Sequence, residues 1–489
     1  MIAQGPGYTT LPFQFGRFQG DEYLLVNESG EYHFIERPDL EQLVQGILPA
    51  KNRHFDDLRS KQFIVTGDLP GTIDMVATRY RTRKNFIKNF TALHMMVLTV
   101  RCNQDCQYCQ VSAESDDAYQ YDMSPEVAEK IVEMAFMSPS PVIKIEFQGG
   151  EPTLNWPALT RAVLAAEMLN ESRKKALEFV VCTNLTGITG EKIEFLRDHK
   201  VCISTSLDGP QSLHDKNRIL RKGGGTYETF LANLQDVRRI CGTENVSALM
   251  TTTADTIDHL PEVIDEYVRL GFNGIFLRSL NPYGLAAQNA PELGYSMEYF
   301  ANRYEEALDY IVGLNSQGTY FQEFFATILL TRILTPFSTG FVDLQSPAGA
   351  GISGVIYDYN GDVYPADEAR MLSRMGDKRF LMGNVFTDPY TDIFGGPLMR
   401  EIVAKSIVEV MPGCASCVYR TYCGADPIRS YLETGDIMGR RPGSSFCEKN
   451  QAIFEILFRK LKENNDEVMD VFWSWITRRP LKESRNEKL

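Results

Sequence analysis

The chain has no run of eighteen consecutive apolar residues, so no segment of it is long enough to span a bilayer as a helix. Its opening, MIAQGPGYTTLPFQF, lacks the basic and apolar segments of a secretory signal, and the cytoplasm is the expected location. Positive charge is short as well: 50 Lys and Arg face 64 Asp and Glu, a net charge of −14. That deficit argues against broad contact with nucleic acid, which needs a surplus of Lys and Arg, and leaves room only for a local basic patch. A disulfide framework does not suit a reducing compartment. What remains is ordinary globular material, 43% apolar and 23% charged over 489 residues, enough for two to four domains.

The ten cysteines then become informative one by one. Seven fall into two tight patterns, whereas Cys182, Cys202 and Cys241 stand alone and are expected to be small buried hydrophobes. The first pattern is RCNQDCQYCQ at 101–110, a C-x3-C-x2-C loop of Cys102, Cys106 and Cys109. It lacks a fourth ligand, since no cysteine or histidine follows within seventy residues. Structural zinc wants four ligands in a closed tetrahedron, which makes zinc the weaker reading. A [4Fe–4S] cluster can be held through three irons, leaving an open iron site for another ligand, as catalysis would require.

Around this loop the chain is regular. Apolar runs read as buried strands at 95–100, 142–147, 177–182, 201–207, 246–252 and 274–279, alternating with amphipathic helices. One such helix, SPEVAEKIVEMAFM at 124–137, opens on Ser124 with Pro125 at its first position. Six β–α units in series imply parallel strands with helices outside. The expected fold class is therefore α/β, a partial (β/α)6 TIM-type barrel over 91–295, open on one side.

Before it, residues 1–90 read as a small N-terminal α+β module, winged-helix-like in its order and suited either to peptide docking or to packing alone. It holds a hairpin at 23–36, a helix at 38–48 with Asp39 as candidate N-cap, and a helix-then-strand pattern at 55–65. The basic segment ATRYRTRKNFIKNF at 77–90 reads as a solvated helix face or as a contact for an acidic peptide. After the barrel come a helical connector at 296–345 and a Gly/Pro-rich section with a hairpin turn at Asn360-Gly361. A tail helix at 450–462 and a frayed polar end complete the chain.

Ligands of parallel α/β folds sit at the carboxyl ends of the strands. There the first strand meets the cysteine loop, the second QGGEP at 148–152, the third CTN at 182–184, the fourth SLDG at 206–209 and the sixth Arg278. Gly149 and Gly150 would let backbone approach a ligand, and Glu151 could accept from a ligand ammonium.

The C-x3-C-x2-C loop, the aromatic Tyr108 before its last cysteine, and GGEP after the second strand resemble the radical S-adenosylmethionine (radical SAM) superfamily. The resemblance implies that S-adenosylmethionine chelates the open iron, and that its reductive cleavage to a 5′-deoxyadenosyl radical removes a substrate hydrogen. It further implies that Tyr108 lies near the adenine and that Gly149, Gly150, Glu151 and Pro152 hold the methionyl amine. Asn184, Ser206 and Asp208 become candidate ribose or carboxylate contacts. Arg218 is a weaker candidate that a surface salt bridge would equally explain.

The second pattern is Cys414-x2-Cys417-x5-Cys423, with Cys447 following after twenty-three intervening residues. Four cysteines leave zinc open as a reading. The pattern also resembles the SPASM extension of peptide-modifying radical SAM enzymes, which carries seven cysteines and two auxiliary clusters. Here Pro427 and Ala366 stand where two of those cysteines are expected, both belonging to the first auxiliary cluster. The resemblance therefore implies one auxiliary [4Fe–4S] cluster within a SPASM-like Fe–S domain at 346–450, followed by a C-terminal helix and tail at 451–489. Asp367 and Gln148 match a candidate acid/base and a substrate contact of the related sulfatase-maturing enzymes.

The segments LPFQFGRF, YLLVNESGEY, RCNQDCQYCQVS and YPADEAR are similar to the radical SAM maturase family of the His-Xaa-Ser repeat system. This implies a ribosomally made peptide substrate with His-Xaa-Ser repeats and a low-potential electron donor of flavodoxin or ferredoxin type, with no nucleic-acid or membrane partner. The alternatives are a sulfatase-type maturase that makes formylglycine from Ser or Cys, and a zinc-bound, non-catalytic peptide-binding scaffold. A tRNA-modifying radical enzyme is disfavoured by the acidic balance.

Overall fold

The computed structural model describes residues 4–5 and 7–481, so most of the polar end expected to fray lies outside the described residues. The chain forms two compact units, each assembled from separate stretches. One takes residues 89–325 and 349–403; the other takes 1–88, 326–348 and 404–489.

The first unit is built on parallel strands β1 (Leu93–Thr99), β2 (Val142–Gly149), β3 (Ala176–Thr183), β4 (Val201–Ser206) and β5 (Val246–Leu249). They pair in chain order, each parallel to the next, as the five leading β–α units require. The sixth unit differs. Its strand β6 is only Gly274–Ile275, and it pairs with β7 (Gln322–Glu323) in a sheet of two. Beyond β6 the segment still touches the end of β5, through a Thr252 N–H to Arg278 carbonyl bond of 2.9 Å. On the opposite edge, β8 (Gly354–Tyr357) joins β1 in parallel and is followed by β9 (Asp362–Tyr364) and β10 (Gly383–Asn384). The Asn360-Gly361 turn thus makes the expected hairpin between β8 and β9, with Gly361 at φ 85°.

The strands were expected to be buried throughout, and β1 is from His94 onward. Strand β2 instead alternates. Ile143, Ile145 and Phe147 are fully buried, while Lys144, Glu146 and Gln148 on the other face are not. Phe179, Val181, Val201 and Ile203 continue the apolar layer, which the helices Pro125–Phe136 and Trp156–Arg173 cover with Ile131, Val132, Leu159 and Val163. Ser124 caps the first helix through Val127 N at 3.2 Å, as its sequence implies. The result is a polar concave face. Cys202 on β4 is exposed and Cys182 and Cys241 are half-buried, so none of the three is the buried hydrophobe expected.

In the other unit, an antiparallel sheet of Phe13–Gln19, Glu22–Asn27 and Tyr32–Glu36 packs around Leu25, Ile35, Leu40, Leu43, Phe55, Leu58 and Phe63. The first helix spans Arg37–Gln45, so Glu36 takes the N-cap position and Asp39 lies inside the first turn, where it accepts from Asn52 Nδ2 at 2.8 Å. The basic segment is not a uniformly solvated face: Arg79 pairs with Glu31, Lys84 pairs with Glu409, and Arg83 donates to backbone carbonyls of Ser29 and Arg332. The tail helix is longer than its pattern suggests, Ser445–Glu463, and a second helix, Asp466–Thr477, follows it. Among the described residues no helix is long and apolar enough to cross a membrane.

Two buried histidines set a pH dependence for the barrel unit. His94, stacked on Tyr357, and His214, bonded to Thr226, are held neutral by burial, their pKa values pulled down to about 3 and about 4. Both lie below the unfolded value, so the unfolded chain binds more protons as pH falls below about 6.5, and stability is lost in that direction. His94→Phe is expected to flatten the slope of unfolding free energy between about pH 6 and about pH 4.5 by about 1 kcal/mol per pH unit, measured by denaturant titration at each pH.

Candidate functional site

The loop after β1 is fixed by charge-assisted bonds. Arg101, 4% exposed, makes two bonds to the Asp122 carboxylate at 2.8 and 2.7 Å and reaches the carbonyls of Asp116 and Leu154. Arg221 holds the other side of the loop through the carbonyls of Cys102 and Ala113, both at 2.9 Å. With the loop so held, Cys102, Cys106 and Cys109 line one cavity of about 290 Å³ at the carboxyl ends of the strands. Donors approach the sulfurs. Gln104 N lies 3.4 Å and Asn184 Nδ2 3.9 Å from Cys102 Sγ, and Arg218 Nη1 lies 4.0 Å from Cys106 Sγ.

The diglycine does more for packing than its sequence suggests. Gly149 has φ 146°, and a Cβ there would lie 2.0 Å from the Thr99 carbonyl oxygen; at Gly150 the corresponding distance to Arg101 O is 2.3 Å. These contacts bring β2 against the start of the cysteine loop, where Gly150 N and Glu151 N donate to Thr99 and Arg101 carbonyls at 2.9 and 2.8 Å. Gly149 and Gly150 also line the cavity, together with Tyr108, Asn184, Ser206 and Arg218.

Three candidates sit elsewhere. Glu151 is fully buried; its oxygens accept from Thr153 N and Oγ1, Thr183 Oγ1 and Asn184 N, so it shapes the rim and does not face the cavity. Pro152 is buried at the start of the short helix that follows. Asp208 is also fully buried, accepting from Tyr108 Oη and from Arg218 Nε at 3.1 Å. It anchors two cavity-lining side chains and is not itself one. Arg218 is thus half of a buried pair, not a surface bridge.

Glu146, Gln148, Cys182, Arg278, Asp367 and Met371 line the same cavity. Gln148 Nε2 donates to Glu146 Oε1 at 2.7 Å, and the Cys182 thiol reaches the same oxygen at 3.5 Å. Asp367 is the first residue of the helix Asp367–Arg374, but Ala366 occupies the cap position, so Asp367 is not a capping aspartate. Its Oδ1 is buried without a hydrogen-bond partner, 3.9 Å from Arg370 Nε. Burial raises its pKa and the nearby Glu146 adds to this, against the opposing pull of Arg370 and Arg278. Sequence reasoning missed Glu146 and misplaced Cys182. Period-two alternation from Gln148 back to Glu146 was the signal available for the former.

In the other unit, Cys414, Cys417, Cys423 and Cys447 line a second, smaller cavity with Tyr419, Arg420, Arg441 and Gln451. Cys447 lies in the first turn of Ser445–Glu463, its N–H bonded to the Ser444 cap. Burial pushes the Cys423 and Cys447 thiols up to about 12 and about 11, a cost that metal ligation of the thiolates would offset.

Both sulfur sets fit iron–sulfur clusters. A tetrahedral zinc with Zn–S bonds near 2.3 Å would hold its sulfurs about 3.8 Å apart. Among the described residues, three or more His, Cys, Asp or Glu ligand atoms converge within 4.8 Å only at Glu36, Asp39 and His54. Neither cysteine set closes that tightly, as expected where a cluster contributes its own sulfides between the irons.

Residues 96–267 match the radical SAM superfamily. A cysteine-type anaerobic sulfatase-maturating enzyme of Clostridium novyi is 21% identical over 380 residues, 74% of this chain and 93% of that protein. The structure described as native anSMEcpe with bound AdoMet superposes with a TM-score of 0.63 at 18% identity, covering 76% of this chain and 98% of that one. Streptococcus suis SuiB bound to precursor peptide SuiA gives 0.54 at 14% identity, covering 91% and 100%. Residues 96–267 thus carry the radical SAM match, and about three quarters of the chain is similar to a sulfatase-maturating enzyme.

Gly149→Ala is expected to prevent the rim from closing and to abolish iron uptake at the first loop. Gly187→Ala, whose nearest neighbour would lie 3.8 Å from the new Cβ, should change stability by less than about 0.5 kcal/mol. Circular dichroism and iron content after anaerobic reconstitution distinguish the two.

Proposed function

We propose that this protein is a radical SAM maturase that modifies a ribosomally made peptide, the substrate carrying His-Xaa-Ser repeats. The observation that carries the reading is a single cavity lined both by three loop thiols with hydrogen-bond donors and by Asp367, whose Oδ1 is buried without a hydrogen-bond partner. Cys102, Cys106 and Cys109 would hold a [4Fe–4S] cluster, with one iron left for S-adenosylmethionine. Cys414, Cys417, Cys423 and Cys447 would hold one auxiliary cluster. Bound together, the first cluster and its cosubstrate supply one-electron cleavage that ends in removal of a substrate hydrogen atom.

The chain's own residues do the rest. Gln104 N, Asn184 and Arg218 lend hydrogen bonds to the sulfurs and favour their ionised form. Tyr108, Gly149, Gly150 and Ser206 line the cosubstrate's share of the cavity. Glu146 and Gln148, already bonded to each other, with Ser206 and Thr251 offer partners to an imidazole or hydroxyl of the peptide. Asp367 would take the proton lost when the substrate radical gives up its second electron, for which the auxiliary cluster would be the acceptor. A low-potential one-electron donor of flavodoxin or ferredoxin type would supply the reductant.

The likeness to sulfatase-maturating enzymes favours one further reading, oxidation of Ser or Cys in a sulfatase to formylglycine. Against it stand Ala366 and Pro427, where cysteines for a second auxiliary cluster are expected. Anaerobic incubation with S-adenosylmethionine and reductant, using either a His-Xaa-Ser peptide or a sulfatase-motif peptide, separates the two readings by which peptide changes mass.

Reconstituted protein should bind about eight irons, four for each of two clusters; about twelve would contradict the missing-ligand argument. Asp367→Asn should slow peptide modification by about 10²-fold or more while leaving peptide-independent cosubstrate cleavage nearly unchanged, as chromatography of both products would show.

A further inference from the structure

Several cations cluster beside the auxiliary cysteines. Arg83, Lys84, Arg332 and Arg420 line a small cavity with Cys423, and only Glu28 and Glu409 oppose them there. Lys84 is paired with Glu409 and Arg420 with Glu28. Arg83 and Arg332 make no ion pair with a carboxylate among the described residues. Arg83 donates to the carbonyls of Ser29 and Arg332 at 3.0 and 2.7 Å and lies over the Tyr422 ring. Arg332, 9% exposed, donates from Nε to the carbonyl of Tyr422 at 2.7 Å, one residue before Cys423. It is therefore anchored to the backbone that presents a ligand.

A buried guanidinium without a counter-charge is costly and is retained where a negative group lies close by. The four thiols become such a group once they bind metal, because thiolate ligation gives an iron–sulfur centre a negative charge that grows on reduction. Charge near a cluster is one of the protein's means of setting its potential. We propose that Arg332, steadied by Arg83, is the counter-charge of the centre held by Cys414, Cys417, Cys423 and Cys447, and that it raises the reduction potential of that centre. The inference rests on the auxiliary-cluster reading above. It also gives the N-terminal segment a task, since Arg83 reaches the site from residues otherwise remote in sequence from every ligand.

The test is a potentiometric EPR titration of the full chain, reconstituted anaerobically, following the signal that S-adenosylmethionine does not perturb. In Arg332→Met the midpoint should fall by at least about 59 mV, a tenfold change in the one-electron equilibrium, with iron content unchanged. Arg332→Lys should recover most of that shift, which a purely structural role would not do. An unmoved midpoint in Arg332→Met at full iron content overturns the proposal, as does a lysine variant no better than methionine. Should Arg332→Met fail to retain the centre, Arg83→Met carries the test: a smaller downward shift supports the proposal and no shift overturns it. A wild-type chain with zinc at these cysteines and a normal first cluster overturns the auxiliary-cluster reading itself, an outcome visible before any variant is made.

Discussion

The carbonyl oxygens of Thr99 and Arg101 each accept a backbone N–H from the turn after β2, at distances no side chain on Gly149 or Gly150 could share. That contact positions the rest of the site. It draws the second strand's end under the cysteine loop and places Glu151 where its carboxylate bonds Thr183 and Asn184 at the end of β3. Asn184 in turn reaches Cys102 Sγ. Three strand ends are thereby coupled through backbone and one buried carboxylate, and Cys102 acquires one of its donors, Asn184, through that coupling. Arg101 and Arg221 hold the loop from outside by the same means, bonds to carbonyls and to Asp122. An open-iron centre needs such rigidity, because three ligands restrain it less than four would.

The second cysteine set is held differently. Its ligands come from a turn-rich segment and from the first turn of a long helix, and no sheet passes through it. Packing is supplied by aromatic rings instead: Tyr419 stacks on Phe454 and Phe458, and Phe458 meets Tyr32 of the N-terminal sheet at 5.2 Å. Tyr422 Oη donates to the carbonyl of Gly30. The N-terminal strands thus belong physically to the auxiliary site, which explains why residues 1–88 and 404–489 form one compact unit although the radical SAM domain separates them in sequence.

Much of this was legible from the residues. Cysteine spacing, Gly-Gly after a strand and the β–α alternation specify the cavity's rim because they are local, and each constrains backbone within a few residues. Asp367 and Gln148 were legible only through resemblance, and both do line the cavity. What the sequence hid was orientation. Glu151 and Asp208 look like ligand contacts because they follow strand ends, yet both side chains turn inward to satisfy buried donors, a choice that depends on neighbours far along the chain. Cys182 looks apolar in LEFVVC but stands on the concave face beside Glu146. The sixth strand also fell short: β6 makes only a two-residue ladder with a segment that reads as helix, while residues 354–357 extend the sheet at its other edge by pairing with β1.

The two cysteine sets also differ in charge environment, and the difference follows from their tasks in the proposed reaction. At the first loop the cation that reaches a ligand sulfur, Arg218, is already neutralised by Asp208, so its charge is largely cancelled before it reaches Cys106. A centre that must deliver an electron at low potential is served by that cancellation, since an uncompensated cation would stabilise its reduced form. At the second set, Arg332 and Arg83 have no such partner, and the imbalance favours taking up an electron. The contrast between Arg218, paired with Asp208, and Arg332, without a carboxylate partner, therefore suits a division into an electron-delivering and an electron-accepting centre in the proposed reaction. A non-catalytic zinc scaffold gives no reason for that asymmetry, because zinc ligation involves no change of oxidation state to which nearby charge could be tuned.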